Sequence, residues 1–278
     1  MARAPGERRN PPVLKRYGQH FLSDKNILTS IVDALDPRPT DTVVEIGPGR
    51  GSLTEILAER SGRVIGIEID RALVDQLRKK FADKRNVEII QADILETDIA
   101  SFAPDDYLLI GNVPYYITTP ILFKALEPPM PRRSVFLVQS EVADRMAGNE
   151  NTESYGALSV NVSVVARVER VLDVPARAFR PPPKVESAVV RITPLAEPLV
   201  PRESLTGFRT FVQAVFGLRR KQMLRVLRTV RGLSIEVCER ILQSANVDPS
   251  ARPEVLSPVQ FARVFDLVSA EPEGPQVA

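Results

Sequence analysis

The chain has 278 residues, 44% of them hydrophobic, and its 37 Lys and Arg against 35 Asp and Glu leave a formal charge of only +2. That length accommodates one large α/β domain with an appendage, or two ordinary domains. A single cysteine, Cys238, excludes internal disulfides and Cys-rich metal sites, and a single histidine, His20, excludes triads that need a distant imidazole. No apolar run reaches membrane-span length and the N-terminus has no apolar signal core, so a cytoplasmic chain with no membrane contact and no metal is expected.

In chain order, the first twenty residues hold Arg3, Arg8, Arg9, Lys15 and Arg16 against one acid, Glu7. Residues 1–16 read as a flexible basic arm, which either lies near phosphates or only solubilises the chain. From Asp41 onward, β-rich runs alternate with amphipathic ones: TVVEI, LTEILAER, RVIGIEI, ALVDQLRKKF, VEIIQ, YLLIGN. This is the pattern of a parallel sheet with crossover helices. Further helices are expected at 119–126, 140–147 and 155–165, and strands at 134–139, 168–174 and 185–192. The prolines of TPLAEPLVPRE, 193–203, mark a linker, placing one domain at 17–195 and a helical one at 196–278. The latter has helical spacing at 204–216, 219–230, 235–243 and 258–268.

Strand VVEI runs into Gly47, Pro48, Gly49, Arg50 and Gly51, and a helix-forming run starts at Ser52. Such glycines let backbone approach a ligand at a helix N-terminus. The dinucleotide fingerprint would want glycine at position 52; with the third glycine one residue early, the spacing resembles the methyltransferase G-x-G-x-G. Taken alone, the loop also reads as a plain strand-to-helix turn. Glu68, ending the next strand, is placed to accept from both hydroxyls of a ribose, and Asp93, past the third, to accept from an adenine amino group; each also reads as a helix N-cap.

The fourth strand ends in Asn112, Val113, Pro114 and Tyr115. An adenine amino nitrogen is a poor nucleophile because its lone pair is delocalised into the ring. An Asn side-chain oxygen and a neighbouring carbonyl of Asn112, Val113 or Pro114, both accepting from that amino group, would aim the lone pair at a methyl donor while Tyr115 stacks on the base. The other reading is a proline turn with a packed tyrosine. Phe179, before the stiff Arg180-Pro-Pro-Pro-Lys184 segment, reads either as a second stacking face or as a core residue. Arg219, Arg220, Lys221, Arg225, Arg228 and Arg231 fall within one predicted helix with no acid among them. All but Arg219 share a face opposite Met223, Val226, Leu227 and Val230, a footprint for nucleic acid or a solvated face.

GQHFLSDKNI, EIGPGRGSLT, GIEID, QADIL, GNVPYYITTPIL, QSEVADRM, YGALSV, FRPPPKVESAVV and FGLRRKQML, in that order, resemble the KsgA-type family of ribosomal RNA adenine dimethyltransferases from Tyr17 to about Val268. The resemblance implies a Rossmann-like class I methyltransferase fold, an α/β architecture with a mostly parallel seven-stranded sheet, followed by a small all-helical domain. It implies that S-adenosyl-L-methionine is the cofactor, held by His20, Leu22, Gly47, Gly49, Glu68, Asp93 and Asn112. Asn112, Pro114, Tyr115 and Phe179 would form the catalytic site, and Arg180, Lys184, Arg219, Arg220, Lys221, Arg225 and Arg228 would contact RNA. The substrate implied is a pair of adjacent adenosines in the 3'-terminal hairpin of small-subunit (16S) rRNA, dimethylated by a monomer in the pre-30S particle. The family more often has Asn where this chain has His20 and Tyr116. The alternatives are an Erm-type large-subunit methyltransferase, a non-catalytic nucleic-acid-binding relative, and a nicotinamide dehydrogenase, the last disfavoured by Ser52.

Overall fold

The structure, a computed structural model, describes residues 20–103 and 106–271; the expected basic arm, 1–16, lies outside them. The chain forms two compact units. One runs to Ala125 and adds Pro131–Gln139 and Leu172–Val189; the other holds Leu126–Met130, Ser140–Val171 and the chain from Val190 on.

The first unit opens with the short strand β1 (Phe21–Leu22), α1 (Lys25–Leu35), β2 (Thr42–Ile46), α2 (Ser52–Arg60), β3 (Arg63–Glu68), α3 (Arg71–Lys80) and β4 (Val87–Gln91). It continues with β5 (Leu108–Asn112), α4 (Thr118–Ala125) and β6 (Arg133–Gln139). Farther along the chain come α5 (Ser140–Met146) and α6 (Ala157–Ser163), both in the second unit, then β7 (Ala166–Val174), β8 (Phe179–Arg180) and β9 (Ser187–Pro194). The main sheet has seven strands in the order β4-β3-β2-β5-β6-β9-β7, and β1 pairs antiparallel with β8. From β4 to β6 the neighbours are parallel, as the alternating β and α runs require. Val43 and Val44 of β2 and Leu108, Leu109 and Ile110 of β5 are fully buried; helices on both faces explain why these strands are apolar throughout rather than alternating.

Asp24 caps α1 by accepting from the backbone N–H groups of Asn26 and Ile27, and α1 buries Leu28, Ile31, Val32 and Leu35 at helical spacing. These side chains join Leu53 and Leu57 of α2 and Val43, Leu108 and Val135 of the sheet in one cluster. Truncating one of its leucines to Ala would cost about 2–5 kcal/mol.

The chain lays down β2, β3 and β4 outward in one direction, then returns to place β5 on the other side of β2. That reversal puts a crevice at the carboxyl ends of β2 and β5, the switch point where open α/β sheets bind ligands. Gly51 shows why the third glycine comes early. It caps α2 at φ +75, and a Cβ there would sit 2.7 Å from Phe81 Cε2 and 2.9 Å from Leu77 Cδ2, so α2 packs this closely beside α3 only without a side chain.

The second unit is helical after the proline-rich stretch: α7 (Leu205–Gly217), α8 (Met223–Arg231), α9 (Ile235–Ser244) and α10 (Pro258–Ala270). Its core is aromatic, with Phe265 edge-on to Phe208 at 5.3 Å and Phe216 stacked on Phe261 at 5.5 Å; the Tyr155 hydroxyl donates to the Leu256 carbonyl. The expected helix at 219–230 is corrected at its start. Helix α8 begins only at Met223, because the Met223 and Leu224 amides donate to the Ala251 and Pro249 carbonyls, leaving Arg219, Arg220 and Lys221 in the preceding turn. The cationic face drawn through Arg220 to Arg231 on one helix therefore does not exist as such. No helix among the described residues is long and apolar enough to cross a membrane.

Candidate active site

A cavity of about 250 Å³ opens where β2, β3, β4 and β5 end. The four loops that follow these strands and the β1 strand line it, and the seven expected cofactor residues, His20, Leu22, Gly47, Gly49, Glu68, Asp93 and Asn112, all contribute to its wall, as do Pro114 and Tyr115.

The glycine loop is shaped by left-handed backbone: Gly47 has φ +64 and Gly49 φ +60. A Cβ on Gly49 would meet Phe21 Cε1 at 3.1 Å, so β1 lies directly over the loop, and the Arg50 guanidinium sits 4.2 Å above the Phe21 ring.

Glu68 is only 5% exposed. Its Oε2 accepts from the Gly49 backbone N–H at 3.0 Å and its Oε1 from that of Asp70 at 3.0 Å. It is not the cap of α3; Asp70 is, accepting from Ala72 N–H. Burial pushes the Glu68 carboxyl up from its ordinary range, opposed by the backbone donors. Asp93 does cap its local turn, with Oδ1 accepting from Leu95 N–H at 2.9 Å; Oδ2 makes no hydrogen bond among the described residues.

Beneath the loop is an acid that sequence reasoning did not single out. Glu45, on β2, is 2% exposed and lines the cavity. Burial pushes its carboxyl up to about 7; the Thr54 hydroxyl, donating to Oε2 at 2.6 Å, pulls the other way, and nearby Glu68 adds to the rise.

The Asn112 amide is oriented by its own donor: Nδ2 donates to the His20 carbonyl at 3.0 Å, which leaves Oδ1 as the acceptor. Of the three candidate carbonyls beside it, that of Pro114 already accepts from Ile117 N–H at 3.1 Å and from the Thr118 hydroxyl at 3.2 Å. The choice narrows to Asn112 and Val113.

Tyr115 makes a hydrogen bond that no sequence pattern signals. Its hydroxyl shares a 2.6 Å hydrogen bond with Ser187 Oγ, which is buried at the start of β9. The His20 ring stacks on Tyr115, centroids 5.9 Å apart and planes 23° apart, and its Nδ1 is in hydrogen-bond contact with the Pro181 carbonyl at 2.9 Å, the ring N–H donating.

Phe179 is placed apart from this wall. Its ring is 0% exposed and packs with Leu22, Val174 and Val189 in the core, and it does not line the cavity. It pairs with Leu22 across β1 and β8, and its full burial matches the core reading of this residue.

Of the expected RNA-binding residues, Arg180 and Lys184 are exposed, as are Arg219, Arg220, Lys221, Arg225 and Arg228. Arg219 is not without a counter-charge: it pairs with Glu254 at 3.3 Å. Arg220, Lys221, Arg225 and Arg228 make no ion pair among the described residues.

A family model described as ribosomal RNA adenine dimethylase matches residues 13–269. The chain is 41% identical over 263 residues to ribosomal RNA small subunit methyltransferase A of Alkaliphilus metalliredigens, covering 92% of each chain. It is 39% identical to the protein of the same name from Caldanaerobacter subterraneus, covering 90% of this chain and 95% of that one. Among solved structures, a dimethyladenosine transferase from Plasmodium falciparum aligns with TM-score 0.75 and 25% identity over 88% of this chain and 96% of that chain. The 23S rRNA methyltransferase ErmE aligns with TM-score 0.71 and 30% identity over 90% and 99%.

Proposed function

The chain belongs to the ribosomal RNA adenine dimethylase family, and on that premise we propose that it transfers methyl groups from S-adenosyl-L-methionine to adenine amino nitrogens of small-subunit rRNA, giving N(6),N(6)-dimethyladenosine at two adjacent positions of the 3'-terminal hairpin in a cytoplasmic, assembling pre-30S particle. The observation that carries this reading is the fixed Asn112 amide, its Nδ2 donating to the His20 carbonyl and its acceptor left to a cavity that Tyr115 also lines. The small-subunit assignment rests on relatives at 39–41% identity bearing that name, against 30% for ErmE.

The cofactor, when bound, supplies an electrophilic methyl on a sulfonium. The cavity suits such a group: a left-handed glycine cradle, a buried carboxylate at the end of β3 and a second acid after β4. Gly47 and Gly49 let backbone approach its amino-acid part, Glu68 accepts from the ribose hydroxyls with the lone pairs its backbone donors leave over, and Asp93 Oδ2 accepts from the adenine amino group, while His20 and Leu22 close the wall. On the substrate side, Asn112 Oδ1 and the Asn112 or Val113 carbonyl accept the two amino hydrogens of a flipped-out adenine and favour a pyramidal nitrogen. Tyr115 stacks on the ring and keeps it in line. No general base is needed, because the methylated nitrogen is cationic and releases its proton readily. Arg180, Lys184, Arg220, Lys221, Arg225 and Arg228 would meet phosphates.

The test supplies purified protein and labelled cofactor with small-subunit particles, large-subunit particles and free RNA, followed by digestion to nucleosides. Dimethyladenosine in small-subunit particles is expected. Label confined to large-subunit RNA would move the reading to an Erm-type activity, and no label in any RNA would overturn it.

A further inference from the structure

Tyr116 is the only aromatic among the exposed large apolar side chains of the described residues. It is 61% exposed, yet it lines the cavity, so its ring stands at the mouth and not out on an unrelated surface. Among the described residues it makes no hydrogen bond, ring contact or ion pair, and nothing in the fold uses its side chain. A second exposed apolar residue, Ile69, lies on the same rim.

The backbone beneath it is firmly held. Tyr115–Ile117 form a single 3-10 turn, closed by Ile117 N–H donating to the Pro114 carbonyl, and the buried Thr118 hydroxyl donates to the Pro114 and Tyr115 carbonyls at 3.2 and 3.4 Å. With about three residues per turn, successive side chains point roughly 120° apart. Tyr115 is directed inward, to Ser187; Tyr116 is directed outward. One rigid turn thus presents two aromatic rings along the path of a strand whose base enters the cavity.

We propose that Tyr116 is a second stacking platform, outside the base pocket, for the nucleotide that flanks the flipped-out adenosine. The inference rests on the RNA-methylating reading of the same site. Extruding a base breaks its stack on both neighbours, and a ring fixed at the pocket mouth replaces that missing partner for the flanking base, which every nucleobase can use because each has a π face. It makes Tyr116 a determinant of how the single strand is drawn across the mouth, separate from the group that orients the reacting nitrogen.

Two measurements test it. With small-subunit particles as substrate, Tyr116→Ala should raise KM for the particle between about 5- and 150-fold, leave KM for the cofactor unchanged and leave the melting temperature unchanged; Tyr116→Phe should restore KM, since the ring and not the hydroxyl acts, and Tyr116→Leu should not. An unchanged KM in Tyr116→Ala, or full rescue by Leu, would overturn the proposal. The chain contains no tryptophan, so Tyr116→Trp carries a single reporter. Its emission should be quenched when small-subunit particles bind in the presence of S-adenosylhomocysteine, against the inner-filter baseline given by Val259→Trp on α10. Emission that follows only that baseline while the particles are bound would reject the stack. Because this arm needs binding and not turnover, it decides the role of Tyr116 even if the wild-type protein transfers no label and the methylation reading falls.

Discussion

The backbone N–H of Gly49 donates to Oε2 of Glu68 at 3.0 Å, so the carboxylate that ends β3 also pins the loop that follows β2. Glu68→Ala should therefore do two things: remove the acceptor proposed for the ribose hydroxyls and release the glycine loop. A drop of about 2–4 kcal/mol in cofactor affinity is expected, the scale for a charged hydrogen-bonding partner removed from a closed site. Calorimetry on the folded variant showing wild-type affinity would refute the assignment.

Glu45 makes the stability of the ligand-free protein depend on pH. Its folded carboxyl is pushed up to about 7 from 4.5, so the folded state holds a proton that the unfolded state has released. The stabilisation is complete below about 4.5 and is lost as pH rises through about 7, roughly 3 kcal/mol in all. Glu45→Gln, which keeps an acceptor for Thr54, should lack this component and gain stability over the wild type at pH 8 compared with pH 5. Urea denaturation giving parallel pH profiles for the two proteins would rule it out.

Asn112→Ala should slow the chemical step on the order of a hundredfold or more at saturating cofactor, as for other preorganised polar groups at a reacting centre. RNA should still bind. Single-turnover rates within twofold of wild type would count against the role.

Ser187→Ala and Tyr115→Phe each remove one end of the same 2.6 Å hydrogen bond. Their effects on unfolding free energy should fail to add, with a coupling of about 0.5–1.5 kcal/mol. A fully additive double mutant would mean the bond holds nothing in place.

Replacing Arg220, Lys221 and Arg225 by Gln should weaken RNA binding and flatten its salt dependence, by up to about 0.9 in log–log slope for each duplex phosphate that is no longer neutralised. Arg219→Gln should do less, since Glu254 already balances that charge. An unchanged slope in the triple variant would show that these side chains do not meet the backbone.

From β2 to β6 the elements of the first unit were legible, the helices as periodic burial and the strands as short apolar runs, whereas α1, β1 and β8 were not expected; the switch-point crevice follows from strand order. Helix starts set by distant carbonyls are not legible: nothing near Met223 announces that Pro249 and Ala251 will satisfy its first amides. The same limit applies at the site. Asn112 and Glu68 end strands and Tyr115 follows one by three residues, so all three could be read locally, whereas Ser187, Glu45 with Thr54, and the His20 ring on Tyr115 depend on neighbours that meet only after folding. Phe179 looked alike in both readings because a stacking ring and a core ring have the same local sequence; only its burial in the folded chain bears on the choice.

The two-residue ribbon of β1 and β8 has a consequence for the newborn chain. His20 and Pro181, which its ends bring together, are 161 positions apart. At about 5–20 residues per second, translation leaves roughly 8–30 s between them, during which Phe21 and Leu22 have no strand to pair with and the glycine loop has no cover. A nascent chain arrested before Phe179 emerges from the ribosome should not retain labelled cofactor, and one arrested past the end of β9 should. Retention by the shorter chain would show that the cover is not needed. The ribosome thus completes the binding site of this protein late in its own synthesis, whatever the order in which the separate helices form.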